Sequence, residues 1–420
     1  MIFTIFNTVF INLMNIKAQI PEYISPSLKT VQLHRKDWVF SYPIFKLNSD
    51  QALTLSFDEP GSGIKSYYYK ITLCDADWQE STLMTTEYIT GIPSNPITEY
   101  DFSFNTTFDY IHYELTIPNS NINVTRSGNY LLTVYENGHE DTPVLIKRFM
   151  VTETVVTVRS STLNTAQSAI REAYQEIDFT VEHKGFNINN PMEEISATII
   201  QNGRTDNIIH GLKPLFVRDG ELDFNYNREV IIEGGNEFRY ADLRSTRFVT
   251  DQVASIDFID PFYHFTLLTD RSRQKDSYHY QQDINGRYVI EVSEYDDDEL
   301  QADYAFVHFS LRVARPQPSQ KIYLNGALTN WQLNENSLMT YNVQHDVYEK
   351  TLVLKQGYYN YQYLVQEGDN SKGQLFPIEN SFQETENDYL ILIYYKSIND
   401  RCDRLIGTQS INTLRRENVQ

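Results

Sequence analysis

The feature that most constrains this chain is the alternation of side-chain character at every second residue, much of it carried by tyrosine. In the run 67–74, Tyr67, Tyr69, Ile71 and Leu73 share one face, and Tyr68, Lys70 and Thr72 share the other. Residues 110–117 repeat the pattern, with Ile111, Tyr113, Leu115 and Ile117 opposite His112, Glu114 and Thr116. A period of two is the signature of a half-buried β-strand. Tyrosine suits such strands because its ring packs on the pleat while its hydroxyl reaches water or a partner. The chain contains 30 tyrosines, and tyrosine is also enriched at contact surfaces. The pattern predicts an all-β protein built of tandem immunoglobulin-like β-sandwich domains, working by contact more than by chemistry.

Length and charge narrow the function classes. The 420 residues suggest about three domains, and a hydrophobic fraction of 41% is enough for real cores. Against 56 acidic residues stand 35 Lys and Arg, a formal net charge of −21. That balance argues against a nucleic-acid partner and against docking on anionic lipid. Cys74 and Cys402 have no metal-ligand spacing and are expected to be free, partly buried thiols. The apolar run 1–13 followed by Lys17-Ala18 reads as a signal peptide over residues 1–18, too short to span a bilayer. The mature chain is expected to carry no transmembrane segment.

Strand patterns separated by turn residues divide the rest of the chain. Strands at Leu53–Phe57, Tyr67–Cys74, Tyr110–Ile117, Tyr130–Tyr135 and Leu145–Val151 predict a first sandwich over residues 22–158. Asn137-Gly138 is its strongest hairpin signal. Ser160–Ala173 loses the alternation and reads as a linker, with one helical turn around 166–173. A second sandwich is expected over residues 159–314, closed by a strand with Ala305, Val307, Phe309, Leu311 and Val313 on one face. The like-charge run 295–299 reads as a solvated loop. Arg315-Pro316-Gln317-Pro318-Ser319 is a stiff linker of the kind that separates domains. A third sandwich is expected over 319–405. Its strand at Tyr389–Tyr395 is apolar on both faces and therefore central, and a polar tail, 406–420, is expected to fray.

The motifs point away from catalysis. Cys74-Asp75-Ala76-Asp77-Trp78 has closely spaced carboxylates but lacks the glycine turn and the further Glu of a calcium loop, so an Asp-rich turn anchored by a core Trp is expected. Gln201-Asn202-Gly203-Arg204-Thr205-Asp206 reads as a hairpin tip, with Arg204 and Asp206 forming an exposed pair worth about 0–1 kcal/mol. Gly234-Gly235 is not followed by the Gly-Lys-Ser/Thr of a phosphate loop. The nine histidines are scattered, and His-x-x-x-His, Gly-x-Ser-x-Gly and Cys-x-x-Cys do not occur. No catalytic, metal or cofactor residue is assigned and no cofactor is implied. A glycosidase or esterase working through an unrecognised carboxylate pair stays open as a minor alternative.

Two resemblances sharpen this reading. Tyr323-Leu324-Asn325-Gly326, Asn330-Trp331, Tyr348–Leu352 and Lys355-Gln356-Gly357-Tyr358-Tyr359-Asn360-Tyr361 resemble the early-set immunoglobulin-like sandwiches related to glycogen-binding modules, which implies such a sandwich over 319–405. That likeness implies sugar or partner contact at Trp331, Lys355, Tyr359 and Tyr361, and hence a periplasmic carbohydrate-binding protein as the alternative function. The second resemblance rests on an ordered set of motifs: residues 74–78, Asn105-Thr106 with 110–113, Ser127-Gly128-Asn129-Tyr130, Gln175–Phe179, Gln201–Arg204, Gly235–Arg239, Ala302-Asp303-Tyr304 and Lys355–Tyr361. Their order resembles the type IX secretion system plug protein family of Bacteroidetes. The resemblance implies a non-enzymatic periplasmic subunit, held at the outer membrane by a protein partner. That partner would be a large β-barrel translocon whose periplasmic mouth the subunit closes.

Overall fold

The computed structural model describes residues 21–164, 172–226, 230–314, 319–368 and 372–414. It is almost entirely β, as the alternation predicts. The expected signal peptide lies outside the described residues, as do most of the expected helical turn at 166–173 and most of the 315–319 linker.

The first sandwich follows its sequence pattern closely. One sheet runs Tyr23–Ile24, Pro143–Thr152, Gly128–Glu136, Tyr67–Cys74, Ser94–Pro96, with Ile44–Lys46 added in parallel to Pro143–Thr152. The facing sheet runs Lys29–Arg35, Leu53–Pro60, Tyr110–Ile117, Glu99–Phe102. Tyr67, Tyr69, Ile71 and Leu73 point inward as their spacing requires, against Leu55, Phe57, Ile111 and Tyr113. Phe57 stacks on Tyr113 at 5.2 Å, and Tyr67 meets Phe57 and Tyr113 edge-on at 5.4 and 5.1 Å. Such contacts add stabilisation beyond area burial. The Asn137-Gly138 hairpin forms, with Gly138 at φ +79°.

The remaining two sandwiches divide the chain differently from the expected 159–314 and 319–405. The second is discontinuous. One of its sheets runs Thr157–Asn164, Tyr174–Glu182, Glu221–Asp223, Phe216–Arg218. The other runs Ile209–Leu212, Ile195–Gln201, Asp388–Tyr395, Arg404–Asn412, so half of it comes from the end of the chain. The third sandwich is inserted between these halves, and its core takes residues from Ala241 to Ile378. Tyr304–Arg312, expected to close the second sandwich, pairs instead with Val347–Lys355. Gln320–Asn325 and Tyr288–Ile290 both pair with the long strand Gly357–Glu367. The Pro-containing 315–319 segment therefore joins two strands of one sandwich. Local composition marks a stiff connection but does not record which strands it joins.

Three further expectations change. Thr157–Asn164 is a strand, so the linker does not begin at Ser160. Arg404–Asn412 is a strand paired along Asp388–Tyr395, so the chain stays ordered well past residue 406. Asp297 caps a short helix, Asp298–Gln301, accepting from the Glu299 and Leu300 amides, so the acidic run is structured.

Asp388–Tyr395 is central, as its two apolar faces predict. Tyr389, Ile391, Ile393 and Tyr395 enter the second sandwich's core. Leu390, Leu392 and Tyr394 face the other way and pack with Met150, Ile44 and Trp78 of the first sandwich.

This insertion has a direct consequence. A chain ending at residue 314 lacks both terminal strands of the second sandwich and several of the third. Limited proteolysis of that fragment is expected to leave a resistant core ending near residue 153 and to degrade the rest. Recovery of a stable 159–314 piece would contradict the topology.

Candidate functional site

The chemistry-bearing side chains converge on the seams between sandwiches. Asp58 lies within the strand Leu53–Pro60 of the first sandwich and Lys355 ends one of the third, and both side chains are 0% exposed. Lys355 Nζ donates to Asp58 Oδ2 at 2.7 Å and to the Glu299 carbonyl at 2.6 Å, and it lies 4.3 Å from the Tyr110 ring centre. The Tyr304 hydroxyl donates to the same Asp58 oxygen at 2.6 Å, and the Thr30 hydroxyl lies 2.6 Å from Tyr304 Oη. His112 Nδ1 sits 2.6 Å from Asp58 Oδ1. Thr107 donates through both its amide and its hydroxyl to Asp303 Oδ1. A buried charge is tolerated only when it is paired and hydrogen-bonded, and this junction meets that condition.

Electrostatics follow from the geometry. Burial alone would raise the Asp58 carboxyl, but Lys355 and His112 outweigh it and hold the group below its ordinary 3.8. Burial alone would lower His112, but its hydrogen bond and charge attraction to Asp58 lift it above 6.5. The raised His112 contributes stability that is full below 6.5 and is lost as pH rises through its folded value. The depressed Asp58 contributes above 3.8 and loses that contribution as pH falls through its folded value. The junction is therefore strongest between those limits.

The other seams are built alike. Arg204 and Asp206 form a bidentate pair at 3.0 and 2.8 Å, and Asp206 accepts from the Gly373 amide while Arg204 donates to its carbonyl. Both side chains are buried between the second and third sandwiches, so the expected exposed surface pair is corrected. The third sandwich's Arg287 reaches the second's Asp388 at 2.7 Å and lies over Tyr42 of the first at 5.3 Å. Arg404 clamps Glu153 across the first and second sandwiches, and the Tyr394 hydroxyl donates to Asn129 Oδ1 at 2.9 Å. Within the third sandwich, Glu379 is buried but held down to about 2 by Arg239 and Arg273.

The residues singled out for sugar or partner contact fare poorly as a surface. Lys355 is the buried ion just described. Tyr359 is buried, stacks on Tyr288 at 5.0 Å and donates to the Lys355 carbonyl. Tyr361 is buried and donates to Asp270. These three are corrected from contact residues to interior ones: alternation at 357–367 marks a strand face, and that face turns inward. Trp331 is half-buried at the second–third seam, edge-on to Phe238 at 6.1 Å, with its carbonyl accepting from Thr205. A side chain at Gly203 would press within 3.4 Å of the indole, and one at Gly286 within 2.3 Å. Trp331 thus fills an interdomain gap rather than presenting a face for stacking.

Trp78 is likewise partly buried, with Arg148 4.5 Å from its ring, and Asp75 accepts from the Asp77 and Gln79 amides as a turn carboxylate. Cys74 and Cys402 are free and buried, and burial pushes Cys74 up to about 12. Among the described residues no group of three or more His, Cys, Asp or Glu is arranged to hold a metal. No helix among them is long and apolar enough to cross a membrane. Sequence reasoning missed the seam partners Asp58, His112, Tyr304 and Arg287, because each looks like an ordinary strand or turn residue until the strands are placed.

A cleft of about 670 Å³ opens where the three sandwiches meet, with Tyr42, Arg287 and Asp388 on its wall. Asp283, also on that wall, is pushed up to about 7 by burial, partly offset by bonds from the Asn285 and Phe238 amides.

Comparison with known proteins gives a consistent picture. Residues 28–153 match the family model described as the type 9 secretion system plug protein 1st domain. The chain is also similar to the crystal structure of a hypothetical protein from Parabacteroides merdae ATCC 43184. The identity is 34% and the TM-score 0.92, over 94% of this chain and 100% of that one. No curated protein matches.

Two outcomes are expected at the Asp58 junction. Lys355→Met removes the only lysine paired to the buried Asp58, leaving His112 and Tyr304 as its partners, and should destabilise the protein by about 3 kcal/mol in denaturant unfolding. Because His112 is raised, thermal stability should decline above pH 6.5, and His112→Gln should flatten that decline between pH 6.5 and 9. An unchanged slope would show that His112 is not the linked group.

Proposed function

The chain belongs to the type IX secretion system plug protein family, and from that membership we propose that it closes the periplasmic mouth of the giant outer-membrane barrel translocon. It does so by protein–protein contact, from the periplasm, held at the outer membrane through its partner. The family is a secretion-system component and not an enzyme family.

The observation that carries the reading is the way the sandwiches are joined. A wide barrel leaves an aqueous channel, and a body that closes it must keep its shape against the pore. Here each seam crosses a partnered ion, buried at Lys355–Asp58 and Arg204–Asp206 and half-buried at Arg287–Asp388, or a hydrogen-bonded tyrosine at Tyr394–Asn129. Three modules so joined form one stiff cover, where flexible linkers would give three loosely tethered ones. The net charge of −21 keeps such a body soluble and disfavours nonspecific association.

The test compares outer-membrane permeability in cells with and without the gene, in backgrounds that keep or lack the translocon. Loss of the gene is expected to admit large solutes, such as a glycopeptide antibiotic, only where the translocon is present. Equal permeability with and without the gene in the translocon-bearing background would overturn the reading.

A further inference from the structure

Two histidines of the third sandwich meet on an outer sheet face. Val253–Ile259, Phe262–Leu267, Tyr304–Arg312 and Val347–Lys355 lie side by side in one sheet. Phe265, Val307 and Leu354 enter the core behind it, so strand alternation turns His264, Phe306, His308 and Thr351 outward. The parallel pairing of the two middle strands sets His264 beside Phe306 and Thr266 beside His308. The imidazoles therefore meet on the diagonal, stacked with ring centres 5.3 Å apart. His264 Nδ1 lies 3.0 Å from His308 Nε2. The two residues are 44 positions apart in the chain, so no local motif announces the pair.

Each ring is held in place. Thr351 stands directly opposite His308 on the neighbouring strand, and its Oγ1 lies 2.9 Å from His308 Nδ1. With its proton on Nδ1, donated to that hydroxyl, His308 points the Nε2 lone pair at His264. A partner on the far ring nitrogen is the arrangement that orients imidazoles for metal binding. His264 stacks on Phe306 at 4.9 Å, and Phe306 meets Phe262 edge-on at 5.1 Å. Both histidines are partly exposed, so an ion reaches them from solvent. Burial, helped by His264 and opposed by Glu349, holds His308 below its ordinary 6.5 and so in the neutral form that ligates at pH 7.

We propose that His264 Nδ1 and His308 Nε2 together bind a divalent transition-metal ion of the copper, nickel and zinc group. Metal–imidazole bonds of about 2.0–2.1 Å place two nitrogens about 2.9 Å apart at adjacent corners of a square and about 3.3 Å apart on a tetrahedron. The separation of 3.0 Å falls between those values. In the empty pair a single proton bridges the two nitrogens. On binding, the His264 proton moves from Nδ1 to Nε2, and the ion takes its place between the rings. No third His, Cys, Asp or Glu joins the pair among the described residues, so water completes the coordination. Imidazole nitrogen favours these ions over Ca2+ and Mg2+, which take oxygen ligands, and Cu2+ binds most tightly of the group. The site is independent of the closing role.

The experiment titrates the full chain with Cu2+ alone, followed by calorimetry and by electron paramagnetic resonance. One ion is expected to bind at the pair, with hyperfine splitting from two nitrogens, and Zn2+ should compete for the same place. His264→Gln and His308→Gln should each weaken binding at least tenfold and abolish the two-nitrogen splitting. His345→Gln, at an exposed histidine of the same sandwich, should change binding less than twofold. If the two Gln variants bind Cu2+ as the unaltered chain does, the ion sits elsewhere and the proposal is overturned. If the unaltered chain shows no two-nitrogen signal, the pair is a hydrogen bond only and the proposal is likewise overturned. That spectrum needs no variant, so the test holds even where a substitution prevents folding.

Discussion

Asp58 and Lys355 are opposite charges with no access to water, contributed by different sandwiches, and the rest of the assembly is arranged so that neither is ever alone. Burying such a pair is weak evidence for added stability, because desolvation offsets much of the attraction. Its effect is on geometry. A buried ammonium needs its acceptors at hydrogen-bond distance, and here these are Asp58 Oδ2 and the Glu299 carbonyl. Only one relative placement of the first and third sandwiches supplies both, with Tyr110 beneath the charge and Tyr304 on the shared oxygen. The pair acts as a register mark between domains.

The same constraint explains the use of tyrosine. Tyr67, Tyr110, Tyr130, Tyr304, Tyr359, Tyr363, Tyr389 and Tyr394 are among the largest fully buried side chains. Their hydroxyls are placed on Glu59, the Ala302 carbonyl, the Arg126 carbonyl, Asp58, the Lys355 carbonyl, Asp270, Gln175 and Asn129. A phenylalanine core would bury the same area but could not satisfy the carboxylates and amides that the seams bring inside. Tyrosine here is chiefly an interior residue that carries polar connections through apolar layers, and only secondarily a contact residue.

What was legible in the sequence follows from the range of each signal. Period-two alternation is local, so Tyr67–Cys74 and Tyr110–Ile117 have the bounds read for them. The two apolar faces of Tyr389–Tyr395 announced a strand buried on both sides. Sheet membership is not local. Nothing near residue 389 records that its neighbour is Gln201, or that the sandwich begun at Thr157 resumes after an inserted domain. The same limit affected Lys355 and Arg204. A cation beside a turn or a strand end looks solvated in one dimension, and it becomes an interior ion only when a second sandwich closes over it. The early-set motif marked the third sandwich's strands Gln320–Asn325, Val347–Lys355 and Gly357–Glu367, missed those before residue 314, and misplaced its aromatic residues on the outside. The ordered motifs identified the family because order along the chain survives whatever the sheets do.

Discontinuity and buried seams together bear on how such a body can act. The third sandwich is tied into the second at both ends, near Gly234 and Asn387, where the Asn387 amide group donates to the Gly234 carbonyl at 2.8 Å. A hinge between them would have to open both chain crossings at once, along with the Arg204–Asp206–Gly373 bonds. A hinge at the first sandwich would separate Lys355 from Asp58 before water could reach either. Partial opening is therefore the unfavourable path at both seams, since an ion that loses its partner while still buried bears the full desolvation penalty. A body built this way moves as one piece, by rigid displacement and not by bending at a joint within the protein.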